Sequence, residues 1–98
     1  MLEDILVGSL EVTTELKLRD ILNDVLGIGA ERAEALDKDS GLFGTMPELD
    51  SMAVANLLTE MEDRLDIVID DDEIEGSIFE TFGSLLEFSE RKISRQKS

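Results

Sequence analysis

Residues 44–65 read Gly-Thr-Met-Pro-Glu-Leu-Asp-Ser-Met-Ala-Val-Ala-Asn-Leu-Leu-Thr-Glu-Met-Glu-Asp-Arg-Leu, and the order of residue types in this stretch decides the fold. Asp50 or Ser51 opens a helix that runs to about Leu65, because both are favoured N-caps and an apolar series follows directly. Val54, Leu57, Leu58, Met61 and Leu65 recur at three- and four-residue steps, the stripe of a helix that buries one face. Only one cap is needed. If Asp50 caps, Ser51 sits in the first turn with a free hydroxyl, beside a carboxylate and at the positive end of the helix, where added negative charge is stabilised.

Working outward, Leu16, Leu18, Ile21, Leu22, Val25 and Leu26 mark an earlier amphipathic helix, with Thr13 or Thr14 at its start and Gly27 and Gly29 at its end. Leu2, Ile5, Leu6 and Leu10 also fit a helical stripe, interrupted by Gly8, so residues 1–12 read as an extension or an extra helical turn. Between the two main helices the period is lost. Residues 31–36 can hold one turn of helix, and the remainder is a long loop rich in turn residues, with Leu42 and Phe43 expected to pin it to the core. After Leu65, Ile67-Val68-Ile69 finds no second strand-like run, so it reads as an extended linker burying Ile67 and Ile69. A short helix over 71–75 follows. Thr81 then caps a last helix with Phe82, Leu85 and Leu86 inward. The expected fold is all-α: a small bundle of three main helices plus one short helix, with a long loop after the first. The domain spans 13–93, and 94–98 form a basic tail.

Composition removes several chemistries. The 98 residues are 42% apolar, enough for one modest core, with four Phe and neither Trp nor Tyr. Cys and His are both absent. A Ser-His relay, a thiolate nucleophile and the commonest metal ligands are therefore excluded. Gly27-Ile28-Gly29 lacks the further glycine and lysine of a phosphate-binding loop. Counting an EF-hand from Asp70 puts Gly76 one place late, so Asp70, Asp71, Asp72 and Glu73 offer at most weak divalent binding and no specific metal site. The net charge is −15, and residues 1–90 hold all 24 acids with five bases, a net −19. Such a surface repels nucleic acid and anionic membranes and attracts basic protein surfaces. No apolar run is long enough to span a bilayer, and Met1-Leu2-Glu3-Asp4 is acidic where a secretory signal is basic, so a cytoplasmic monomer is expected.

The Leu49-Asp50-Ser51-Met52 motif at a helix start, together with "GLFG" (41–44), "DDDEIEG" (70–76) and "FETFGSLLEF" (79–88), resembles the phosphopantetheine attachment region of acyl and peptidyl carrier proteins over about residues 13–93. The resemblance implies a carrier that catalyses nothing itself. Ser51 would take 4′-phosphopantetheine from coenzyme A, delivered by a phosphopantetheinyl transferase with magnesium, and Asp50 would help cap the helix and hold the transfer complex. Further partners would be an acyl- or aminoacyl-loading ligase and acyl-using transferases. Fatty-acid-synthesis carriers have a small residue where Leu49 stands, and acids where Met52, Ala53 and Asn56 stand. "PELDSMAV" with "DDDEIEG" is more similar to dedicated carriers, most of all those of bacterial exopolysaccharide and exosortase systems.

Helical spacing from Ser51 points Met52, Ala55, Asn56, Thr59, Glu62 and Asp63 away from the core stripe, and these are the expected partner-binding residues. The competing reading from another class is an acidic helical adaptor that binds a basic protein without covalent modification.

Overall fold

The computed structural model describes the backbone of residues 2–97 and the side chains of residues 14–95. Helix α1 (Leu2–Leu26) is followed by a short α2 (Ala30–Ala35), then α3 (Ser51–Arg64), two single 3₁₀ turns (Asp71–Glu73 and Gly76–Phe79) and α4 (Phe82–Lys97). Helix α1 packs against α2, α3 and α4, and α4 also packs on the second 3₁₀ turn. Leu18, Ile21, Leu22, Leu42, Leu57, Met61, Phe82 and Leu85 meet at the centre and are sealed from solvent. The all-α bundle with a long first connection is the architecture that the sequence predicts.

Helix α1 does not begin at Thr13 or Thr14. It is continuous from Leu2, and Thr14 lies buried in mid-helix. A single Gly8 costs only about 1 kcal/mol in a helix, which is not enough by itself to break one. Leu16, expected inward, is 55% exposed, because it lies two residues and therefore about 200° round the helix from Leu18. At the other end Gly27 takes φ 64, the left-handed conformation that ends helices, and its N–H bonds to Asn23 O at 2.7 Å. The Asn23 side chain accepts from Gly29 N, which fixes the short link into α2. The backbone shows no break at residue 12 or 93: α1 runs through the first and α4 through the second.

Arg19 joins three elements. Its side chain, mostly buried, reaches from α1 to the end of α2, where Nη1 donates to the carbonyls of Ala33 and Leu36 at 2.7 Å each and of Glu34 at 3.2 Å. The guanidinium also lies 4.6 Å from the centre of the Phe82 ring on α4 and pairs with Glu15. The last carbonyls of a six-residue helix have no partner in the helix itself, and Arg19 supplies one.

The long loop is held by backbone as well as by side chains. Leu42 N and Phe43 N donate to Glu80 O and Phe79 O, and Phe82 N and Gly83 N donate back to Ser40 O and Lys38 O. This stitching includes an isolated antiparallel bridge between Gly41 and Thr81. Gly83 is required by the closeness of approach: a Cβ there would meet Lys38 O at 2.6 Å. The side-chain pins are Leu42, Met46 and Leu49; Phe43, expected among them, is 46% exposed.

Helix α3 ends with Asp66 at φ 55 and Ile67 N bonded to Glu62 O, so the chain leaves in an extended path that buries Ile67 and Ile69 as predicted. The expected helix over 71–75 is instead one 3₁₀ turn, Asp71–Glu73, with a second turn from Gly76. Four successive acids repel one another, and Gly76 favours a break, so the segment closes two tight turns rather than one α-helix. Thr81 caps α4, accepting from Ser84 N at 3.0 Å, while Ser84 Oγ accepts from Thr81 N in return.

Candidate functional site

The start of α3 is fixed from both sides. Leu49 before it and Ala53 within its first turn are both buried, and the three residues between them, Asp50, Ser51 and Met52, lie at the surface. Asp50 has an extended backbone, and its Oδ1 accepts from Ala53 N at 2.8 Å while its carbonyl accepts from Val54 N. It is the N-cap. Ser51 is the first helical residue, is exposed, and its hydroxyl makes no hydrogen bond to any described residue. The cap satisfies the third N–H of the helix and leaves those of Ser51 and Met52 facing outward, a donor pair suited to a phosphate. No described side chain is hydrogen-bonded to the Ser51 hydroxyl, so none of them is placed to take its proton.

Arg32 on α2 bonds to Glu48 Oε2 at 2.9 Å, which ties α2 to the approach to this helix start. The hydrogen bond from Arg32 is the main cause that holds the Glu48 carboxyl below its ordinary value of 4.5. Two clefts flank Ser51. One, about 230 Å³, runs between α3 and the second 3₁₀ turn and is walled by Val54, Ile74, Gly76 and Phe79. The other, about 410 Å³, lies on the loop side and is walled by Thr45, Met46, Pro47 and Asp50. Phe43 and Ser51 border both. A larger cleft of about 490 Å³ between the 3₁₀ turns and α4 does not include Ser51, and its charged lining (Glu87, Arg91, Arg95) is of both signs.

Of the residues expected to bind partners, Met52 is 75% exposed, and Ala55, Asn56, Thr59 and Asp63 are exposed beside it along α3. Glu62 differs. It is partly buried, and its Oε2 accepts from Ile69 N at 2.9 Å, holding the extended linker against the end of α3. The acidic run is also divided: Asp70, Asp71 and Asp72 are exposed, whereas Glu73 pairs with Lys92 at 2.8 Å, which keeps its carboxyl below 4.5. Among the described residues no three acids converge on a point where a metal ion would sit.

The sequence reading missed Phe43, which borders both clefts beside the serine, and the Arg32–Glu48 pair that ties α2 to the approach to α3.

The profile of the phosphopantetheine attachment site family matches residues 16–90, most of the chain. The solution NMR structure of a holo acyl carrier protein from Nitrosomonas europaea is 51% identical and superposes with a TM-score of 0.74, covering 83% of this chain and 95% of that one. No curated protein matches the chain. Among the described residues no helix is long and apolar enough to cross a membrane. With a serine displayed at a capped helix start in an acyl-carrier fold, the chain belongs to the phosphopantetheine attachment family: it is an acyl carrier protein, a carrier and not a catalyst, whose prosthetic group is 4′-phosphopantetheine.

Proposed function

We propose that Ser51 is the attachment point and that the chain presents an acyl or aminoacyl group to a succession of enzymes. The carrying observation is the division of labour at the start of α3, where Asp50 makes the cap and leaves the Ser51 hydroxyl exposed and unbonded. In the transfer, Ser51 Oγ forms a bond to the phosphorus nearest the pantetheine of coenzyme A. The pyrophosphate bond breaks, 3′,5′-ADP leaves, and the serine proton passes to a base of the transferase. When bound, the group supplies a terminal thiol that holds the cargo as a thioester. The N–H groups of Ser51 and Met52, left over by the cap, would be the ones to hold its phosphate, and the helix end would favour that charge by about 0.3–1 kcal/mol at the surface.

Asp50 is proposed to keep this end formed during transfer and to face the magnesium that neutralises the pyrophosphate. Partners are proposed to dock along Met52, Ala55, Asn56 and Thr59, with Asp63 steering basic surfaces. Glu62 contributes charge while its carboxylate holds Ile69. The transferase, a loading ligase and acyl-using transferases are the partner classes this reading requires, and it places the protein in the cytoplasm with coenzyme A. Leu49 before the Asp-Ser pair and apolar Met52 after it support a dedicated carrier, as in exopolysaccharide-associated systems, over one for bulk fatty acid synthesis.

Intact-mass measurement after incubation with coenzyme A, magnesium and a broad-specificity transferase should show one added phosphopantetheine, absent in Ser51→Ala. An adduct that persists in Ser51→Ala would move the attachment elsewhere. No adduct with any transferase would favour the acidic adaptor instead.

A further inference from the structure

The two clefts beside Ser51 differ in size and chemistry, and the difference assigns an occupant to one of them. The cleft between α3 and the second 3₁₀ turn is about 230 Å³ and walled mainly by Phe43, Val54, Ile74 and Phe79, with Ser51 and Glu75 as its polar lining. Sites that enclose a ligand of some twenty non-hydrogen atoms measure roughly 300–1,000 Å³, so this cleft is too small for a pantetheine chain as it stands. The loop-side cleft is about 410 Å³ and falls within that range. Its lining is mixed, with Phe43, Met46 and Pro47 as apolar surface beside the Thr45 hydroxyl and the Asp50 carboxylate. Only Oδ1 of Asp50 is used by the cap.

We infer that the loop-side cleft bounded by Phe43, Met46, Pro47 and Asp50 is a resting cradle for the pantetheine arm, with the Phe43 ring as the wall between it and the smaller apolar cleft. The inference rests on attachment at Ser51, which borders the cleft. A pantetheine arm alternates apolar and polar parts: a pair of geminal methyls, a hydroxyl and two amides. The methyls match Pro47 and Phe43, and the amide N–H groups match the free side of the Asp50 carboxylate and the Thr45 hydroxyl. Tethering removes most of the entropic cost of association, since a short flexible link holds the arm at an effective concentration of about millimolar or more. Weak contacts then suffice for residence, and weak contacts also let a partner withdraw the arm.

The turn that forms the cradle is built to keep its shape without help from the Phe43 side chain. Thr45 N and Met46 N both bond to Leu42 O, Phe43 N bonds to Phe79 O, and Gly44 takes φ 89. The ring is therefore held out as a half-exposed plate whose removal leaves the backbone pinned.

The test uses isotope-labelled holo protein carrying an unlabelled arm, with loading at Ser51 first verified by intact mass. Filtered NOE spectra should connect the arm's methyls to the Phe43 ring, Pro47 and Met46, and the amides of Gly44, Thr45 and Met46 should shift between apo and holo forms. Phe43→Ala should retain the wild-type far-UV circular dichroism and lose at least half of those shift changes. Val54→Ala, in the other cleft, should leave them unaltered. Contacts confined to Val54, Ile74 and Phe79, or an arm with no contacts to the fold, would overturn the cradle while leaving the attachment intact. A chain that takes up no phosphopantetheine defeats both readings, and the mass measurement shows that before any spectrum is recorded.

Discussion

Replacing Arg19 by Met keeps most of the buried stem and deletes the guanidinium, which isolates what that group does. The two bonds of 2.7 Å to Ala33 O and Leu36 O have a charged donor. Such bonds are worth about 1.5–3 kcal/mol each where buried, and the lower figure applies here because the carbonyls lie at a partly exposed helix end. Contact with the Phe82 ring adds about 0.5–1 kcal/mol, and the exposed Glu15 pair adds at most that much. Since these terms share one group and do not add fully, Arg19→Met should cost roughly 3 kcal/mol, a large part of the ~5–15 kcal/mol that holds a domain together. Urea denaturation followed by far-UV circular dichroism measures this directly, and the absence of Trp and Tyr makes that the natural probe. The melting temperature should fall by about 12 °C or more. Arg19→Lys should recover less than half of the loss, because one ammonium cannot span two carbonyls and stack on a ring. If Arg19→Met cost less than about 1 kcal/mol, the reasoning that α2 depends on this residue for its C-terminal cap would be refuted.

Gly83→Ala should destabilise by about 1–3 kcal/mol in the same assay, since its Cβ has no room against the Lys38 backbone, and a cost near zero would show that the stitching yields easily. Glu73 has a carboxyl held below 4.5 by Lys92, so the pair stabilises the fold above that pH and the contribution is lost as pH falls through the lowered value. Glu73→Gln should therefore be less stable than wild type near neutrality and should converge with it in acid; a constant gap across the pH range would contradict this. With −19 on residues 1–90, added salt should raise the melting temperature, and a melting point indifferent to salt would mean that repulsion among these acids is already relieved.

Legibility followed range. The start of α3 was readable because an Asp-Ser pair and the apolar steps behind it act within a few residues, and the same holds for Thr81 at α4. Leu16 misled because a leucine in an amphipathic window is counted as inward unless its angle is worked out. Phe43 misled because a loop has no period by which to assign a direction. Arg19 gave no signal: nothing near it in sequence announces that carbonyls 14–17 residues later lie beside it. The backbone stitching of residues 38–43 to 79–83 was not legible, since main-chain groups are the same at every position, and the need for glycine at 83 shows only in the structure.

That stitching has a dynamic consequence. It closes a circuit of about forty residues, with α3 and its serine inside it and the knot at the start of α4. Closing so long a circuit is entropically costly, so these bonds should form late in folding and part together when the domain opens locally. The amides of Leu42, Phe43, Phe82 and Gly83 should then exchange with solvent at one common rate, although they lie on two segments far apart in sequence. A local opening of this kind would free the whole approach to Ser51 at once, so the rate at which the knot loosens sets how long the serine keeps a single presentation to whatever enzyme meets it.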